Sequence, residues 1–174
     1  NLKNLTNVDI TKNSIYSSLK TKQIAVYMEN ADSAIYIQKN KIYLLAVPGT
    51  NDKNGRRGID LKNVSGSSLQ YAYVVNNMVS LRSEGVTGYA PAGISIDGTS
   101  SYINVYYNSV RLYAGETDVN QAKAFVATSN TNNLQVMNNI FANFGSSFAY
   151  HVASSQNITS SDFNVYYGGG AKLT

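Results

Sequence analysis

Cysteine is absent from this 174-residue chain, so neither disulfides nor thiolate metal sites can hold it together. The single histidine, His151, cannot build a metal cluster with its own kind, and no metal site is expected. Tryptophan is missing, and proline occurs only twice. Charged residues make up 14% of the chain and sum to +4, with the basic residues scattered along it, which argues against nucleic acid as a partner. No apolar run approaches the roughly 20 residues that a membrane-spanning helix needs. Neither GxSxG, a phosphate-binding Gly-rich loop, HExxH nor a dinucleotide fingerprint occurs, so no cofactor is implied. Stability has to come from packing and backbone pairing. The chain is instead rich in tyrosine, with 14, and in glycine, with 13, alongside abundant Asn, Ser and Thr, a composition that favours strands and turns. Three-to-four periodicity is nowhere sustained, so helices are not expected. The length suits one domain, 1–174.

The dominant feature is a repeat. Asn13 in VDITKNSI, Asn40 in IYIQKNKI, Asn77 in AYVVNNMV, Asn108 in INVYYNSV and Asn139 in LQVMNNIF occupy one slot of a common pattern. Five residues before each stands Val8, Ile35, Ala72, Ile103 or Leu134, and three before stands Ile10, Ile37, Val74, Val105 or Val136. Two after comes Ile15, Ile42, Val79, Val110 or Phe141. Apolar residues two apart share one face of a strand, so the first pair points inward. The five-residue jump to the third apolar position must contain a turn, and the asparagine sits in it. A further alternating stretch precedes each unit, clearest in GIDL at 58–61 and GISID at 93–97, so each repeat carries about three short strands.

Strands of one inward pattern recurring at this spacing predict coils of a parallel solenoid, each strand pairing with its counterparts in the coils before and after it. Equivalent residues then stack about 4.8 Å apart. An asparagine at an inward corner can bond to the asparagines on either side of it, satisfying amides that would be costly to bury singly. Asn13, Asn40, Asn77, Asn108 and Asn139 are therefore expected to form a structural ladder. Asn164 falls out of step, because Phe163 and Val165 do not reproduce the flanking pattern, and the ladder is expected to end or slip there.

The run of GIDL or GISI, then INVYYNSV, NNIFANF and SSDFNVYY, resembles the right-handed parallel β-helix repeats of the pectate-lyase-like superfamily, over nearly the whole chain. It is particularly similar to β-helix regions of large bacterial secreted and surface proteins, including cargo of the type IX secretion system. The resemblance implies an all-β, single-stranded right-handed parallel β-helix of about five to six coils. It also implies an extracellular or cell-surface location. Without a clear amphipathic cap at either end, the segment is expected to be a monomeric part of a longer protein. The architecture carries lyases, hydrolases, adhesins and binding modules alike, so activity has to be read from individual residues.

Three groups of residues are candidates. PGTNDKNGRRG at 48–58 is the strongest loop signal, with Gly58 among its turn formers, and it carries Lys53, Arg56 and Arg57, either solvated or in contact with an anionic ligand. Tyr36, Tyr71, Tyr73 and Tyr102 fall on outward positions of neighbouring coils, where rings and hydroxyls suit a polysaccharide or cell-surface glycan. Tyrosine is also simply a good strand former. On the strand carrying GIDL and GISID, Asp60 is expected beside Ser95 and Lys62 beside Asp97, the latter two as a surface ion pair. Asp60, Asp97 and Lys62 are the residues available to a lyase or hydrolase. Sparse acids favour a non-catalytic stalk or carbohydrate-contacting adhesin segment. His151, with no carboxylate nearby in sequence, is expected to be structural.

Overall fold

The computed structural model describes residues 2–18, 23–45, 56–83, 91–114, 122–128, 130–145, 147–154 and 157–169. The described residues form parallel β-sheet without an α-helix. In chain order the strands are β1 (Leu2–Lys3), β2 (Thr6–Thr11), β3 (Ser14–Ser17), β4 (Ile24–Gln38), β5 (Lys41–Leu45), β6 (Arg57–Ser65), β7 (Ala72–Val75), β8 (Met78–Ser83) and β9 (Ala92–Asp97). They continue with β10 (Ser101–Tyr106), β11 (Ser109–Ala114), β12 (Lys123–Ala127), β13 (Asn132–Met137), β14 (Ile140–Asn143), β15 (Phe148–Val152), β16 (Ile158–Asp162) and β17 (Val165–Gly168).

Each repeat contributes a first, a second and a third segment, and like pairs with like. First segments run in the order β15-β12-β9-β6-β4, and second segments in the order β4-β7-β10-β13-β16. The two arms belong to one 11-stranded sheet because β4 runs unbroken through both, with β1 and β2 pairing to it. The ring of pairings β4–β6–β10–β7 closes at a single residue pair, Ser65 with Ser101. Third segments form a separate six-stranded sheet, β17-β14-β11-β8-β5-β3. The sequence-aligned columns are the paired ones: Ile10 with Ile37, Ile37 with Val74, and Val105 with Val74 and Val136. Ile35, Ile37, Val74, Ile103, Val105, Leu134 and Val136 are at most 1% exposed, and the core they form runs between the sheets.

The asparagine column is a continuous ladder. The backbone N–H and side-chain Nδ2 of Asn77 both donate to Asn108 Oδ1 at 3.0 Å. The second Nδ2 hydrogen goes to the carbonyl of Ile37 at 2.8 Å. Asn40 and Asn108 repeat this arrangement toward Asn77 and Asn139. Each of these buried amides thus has both donors and its acceptor satisfied, the condition for burying such a group without penalty. Two expectations need correction. Asn164 does not break the ladder, because Asn139 donates to its Oδ1 twice at 2.9 Å. Its repeat looks irregular because the register shifts between Leu134 and Gln135, whose partners are Ile158 and Ser160, leaving one extra residue. Asn13, at the other end, bonds to Asn40 but is exposed.

The residue before every ladder asparagine is left-handed: Lys12, Lys39, Asn76, Tyr107, Asn138 and Phe163 have φ between 53° and 60°. That conformation is disfavoured for bulky side chains. Here it is held by hydrogen bonds across repeats, such as Lys39 N–H to the Val75 carbonyl at 3.1 Å. Gly58, expected in a turn, lies inside β6. A Cβ there would come within 2.4 Å of Val79 Cγ1, and one at Gly93 within 2.2 Å of Val110 Cγ1. These two glycines let the first segments approach the third-segment sheet.

Candidate functional site

The outer face of the first segments carries a polar groove of about 610 Å³, lined by Lys3, Ile24, Tyr27, Arg57, Asp60, Lys62 and Asp97. Parallel pairing sets Lys3 beside Glu29, Glu29 beside Lys62 and Lys62 beside Asp97, so charges alternate along one column. Glu29 sits between two ammonium groups, with Lys3 Nζ at 2.5 Å and Lys62 Nζ at 3.3 Å. Hydrogen bonds from Lys3 and Tyr27 hold its carboxyl down at about 2, with Lys62 adding to the effect. Burial, together with the bond to this anion, pushes the Tyr27 phenol up to about 12.

Asp60, Lys62 and Asp97 therefore share one groove, with Asp60 beside Ser95 and Lys62 beside Asp97 in register. Their bonding differs from expectation. Asp60 is buried and paired with Arg57 at 2.6 Å, Arg57 also reaching Ser95 Oγ at 3.2 Å. Lys62 pairs with Glu29, and Asp97 accepts from the Gly98 N–H at 2.7 Å and the Thr128 hydroxyl at 2.8 Å. Each acid thus has a fixed hydrogen-bond donor. Among the described residues, no group of three His, Asp or Glu side chains could hold a metal ion. His151 is half-buried against Phe148, ring centroids 5.1 Å apart, and burial, then Lys123, lowers its pKa.

Of the basic cluster, Lys53 lies outside the described residues. Arg57 faces the groove, whereas Arg56, expected at a solvated loop, is fully buried.

The tyrosines gather on the second-segment face, where all four are half-buried. Tyr36 and Tyr73 stack with planes 1° apart and centroids at 5.5 Å, and Tyr71 meets Tyr102 edge-on at 5.6 Å. Stacked rings cover each other's faces and leave edges and hydroxyls outward. Asn104 was not among the candidates, since its place in the column of Tyr36 and Tyr73 marks it only as an outward polar residue. It pairs in register with Tyr73 and Gln135, is only 7% exposed, and its Oδ1 has no hydrogen-bond partner. Tyr106, whose hydroxyl donates to Gln135, is its near neighbour in the same strand, and burial followed by Tyr73 raises its pKa. Glu29, Tyr27 and Lys3 were missed because only the long strand β4, alternating inward at Val26 and Met28, carries Tyr27 and Glu29 to the outer face beside Lys3.

No family model, curated protein or solved structure matches the chain. Its class is therefore defined by its own geometry, an all-β chain of parallel sheets with a buried asparagine column.

Proposed function

We propose that the chain winds as one single-stranded right-handed parallel β-helix of six coils, of the kind it resembles in the pectate-lyase-like superfamily. In this reading it serves as a non-catalytic extracellular module of a bacterial secreted or surface protein, a monomeric stalk segment that contacts carbohydrate through its second-segment face. The tyrosine cluster carries this reading: Tyr36 stacked on Tyr73 and Tyr71 edge-on to Tyr102, all four half-buried on one face. Phenol hydroxyls and ring edges at such a surface suit the hydroxyls of a sugar. The paired state of Asp60, Asp97 and Glu29 favours binding over bond cleavage.

A glycan array followed by affinity electrophoresis on the hits tests this. Tyr71→Ala and Tyr73→Ala should each weaken retention by about tenfold while the chain stays folded, as expected for one lost hydrogen-bonding group. Equal retention by both variants would refute the tyrosine face as the site. The second reading, a polysaccharide lyase or glycoside hydrolase, rests on Asp60, Lys62 and Asp97 sharing a groove. It predicts new reducing ends or unsaturated products from the same hits, abolished in Asp60→Asn.

A further inference from the structure

The outer face of the third-segment sheet and the ladder corner beside it form one surface. Parallel pairing sets the sheet's first outward column as Ser14, Lys41, Met78, Ser109, Ile140 and Val165. The left-handed corner residues border that column, among them the exposed Lys12, Lys39, Tyr107 and Phe163. The acids of the described residues, Asp9, Glu29, Asp32, Asp60, Asp97 and Asp162, all lie on first- and second-segment strands. Lys12, Lys39, Lys41 and Arg111 are exposed on the acid-free surface. Apart from Leu5 and Leu69, every large apolar side chain exposed among the described residues lies there too, including Phe163 at 75%, Val165 at 58% and Met78 at 57%.

The two kinds of side chain are graded along the stack. Lys12, Lys39 and Lys41 belong to the first two repeats, and Ile140, Phe163 and Val165 to the last two. A contiguous exposed apolar patch of this kind marks an interaction surface, and its charge selects the partner. Two copies placed face to face would oppose like cations. The rings of Tyr16 and Tyr43, at 5.4 Å, and of Phe144 and Tyr167, at 4.8 Å, cover one another, which leaves few open faces on which nucleobases could stack. Met78, Ile140 and Val165 have no strong hydrogen-bonding group and gain chiefly by leaving water, which a polar polyanion does not offer them.

We propose that this surface docks on an anionic lipid bilayer. Lys12, Lys39, Lys41 and Arg111 meet lipid phosphates, while Met78, Ile140 and Val165 enter the boundary between headgroups and acyl chains. The tyrosine hydroxyls stay at headgroup level, where such rings collect. The sheet lies on the bilayer and does not cross it. The surface belongs to a different sheet from the four-tyrosine face and does not depend on the carbohydrate reading.

Flotation with phosphatidylcholine vesicles, with and without phosphatidylglycerol, tests the proposal. The protein should float with the anionic vesicles and not with the neutral ones. Lys41→Gln and Arg111→Gln should each weaken partitioning about fivefold, the loss expected for one cation near such a surface. Lys123→Gln, which removes a charge from the first segments, should float as the parent does. Ile140→Ser should weaken the binding that survives in high salt, where screening has removed the charge contribution. Because the chain has no tryptophan, Ile140→Trp and Leu69→Trp report orientation. Anionic vesicles should blue-shift the emission of the first and leave the second, between β6 and β7 and 98% exposed, unchanged. No flotation with anionic vesicles, an equal loss in Lys123→Gln, or a blue shift at Leu69→Trp alone would overturn the proposal. Retention on immobilised DNA or heparin without flotation would also overturn it, assigning the surface to a soluble polyanion.

Discussion

The ladder corner and the outward column four residues ahead of it lie in the same repeats and are stacked by the same parallel pairing. In the corner the residue never changes: Asn13, Asn40, Asn77, Asn108, Asn139 and Asn164. In the outward column it changes at almost every step, through Asp9, Tyr36, Tyr73, Asn104 and Gln135. Stacking geometry alone therefore imposes no identity. Identity is imposed where a polar group is buried and only a copy of itself can satisfy it, as at Asn77 and Asn108, each 1% exposed. Outward positions are free to vary, and chemistry can be placed there.

The sharpest test of this contrast is in the interior. Gly93→Val would drive a side chain into Val110 Cγ1 and the Ala124 carbonyl, and should destabilise the fold by about 3 kcal/mol, read from the denaturant midpoint. Asn108→Ala comes next, at about 1–3 kcal/mol, because it leaves the Asn77 donors without their acceptor. Asn13→Ala, at the exposed end of the same column, should cost only about 0.5 kcal/mol. Equal losses at Asn108 and Asn13 would erase the distinction between buried and exposed members.

The smallest effect belongs to the outer charge column. Glu29 titrates at about 2 in the folded chain against an ordinary 4.5, so its ion pairs contribute stability above pH 4.5 that is lost as pH falls through about 2. Melting curves of the parent and Glu29→Gln should therefore differ in acid slope over that interval, the variant being flatter. Parallel curves would mean that Lys3 and Lys62 do not hold this carboxylate.

Inward columns of the second and third segments were legible in the sequence because burial forces repetition, and a repeated Ile, Val or Asn can be aligned by eye. The outer sites were legible only in part. Asp60 beside Ser95 and Lys62 beside Asp97 follow from aligning GIDL with GISID, yet ion partners depend on which side chain reaches which, and Glu29 took Lys62 from Asp97. Arg56 read as a loop cation because GRRG looks like a turn, while Gly58 opens a buried stretch of β6. Asn164 read as a break because the inserted residue moved the apolar pattern but not the amide.

Exchange of the side-chain amide protons of Asn40, Asn77, Asn108 and Asn139, followed by NMR in deuterated solvent, tests the stacked corner most directly. The account predicts protection comparable to that of backbone amides in β7 and β10, with Asn13 exchanging much faster. Free-amide exchange rates at Asn77 and Asn108 would contradict it.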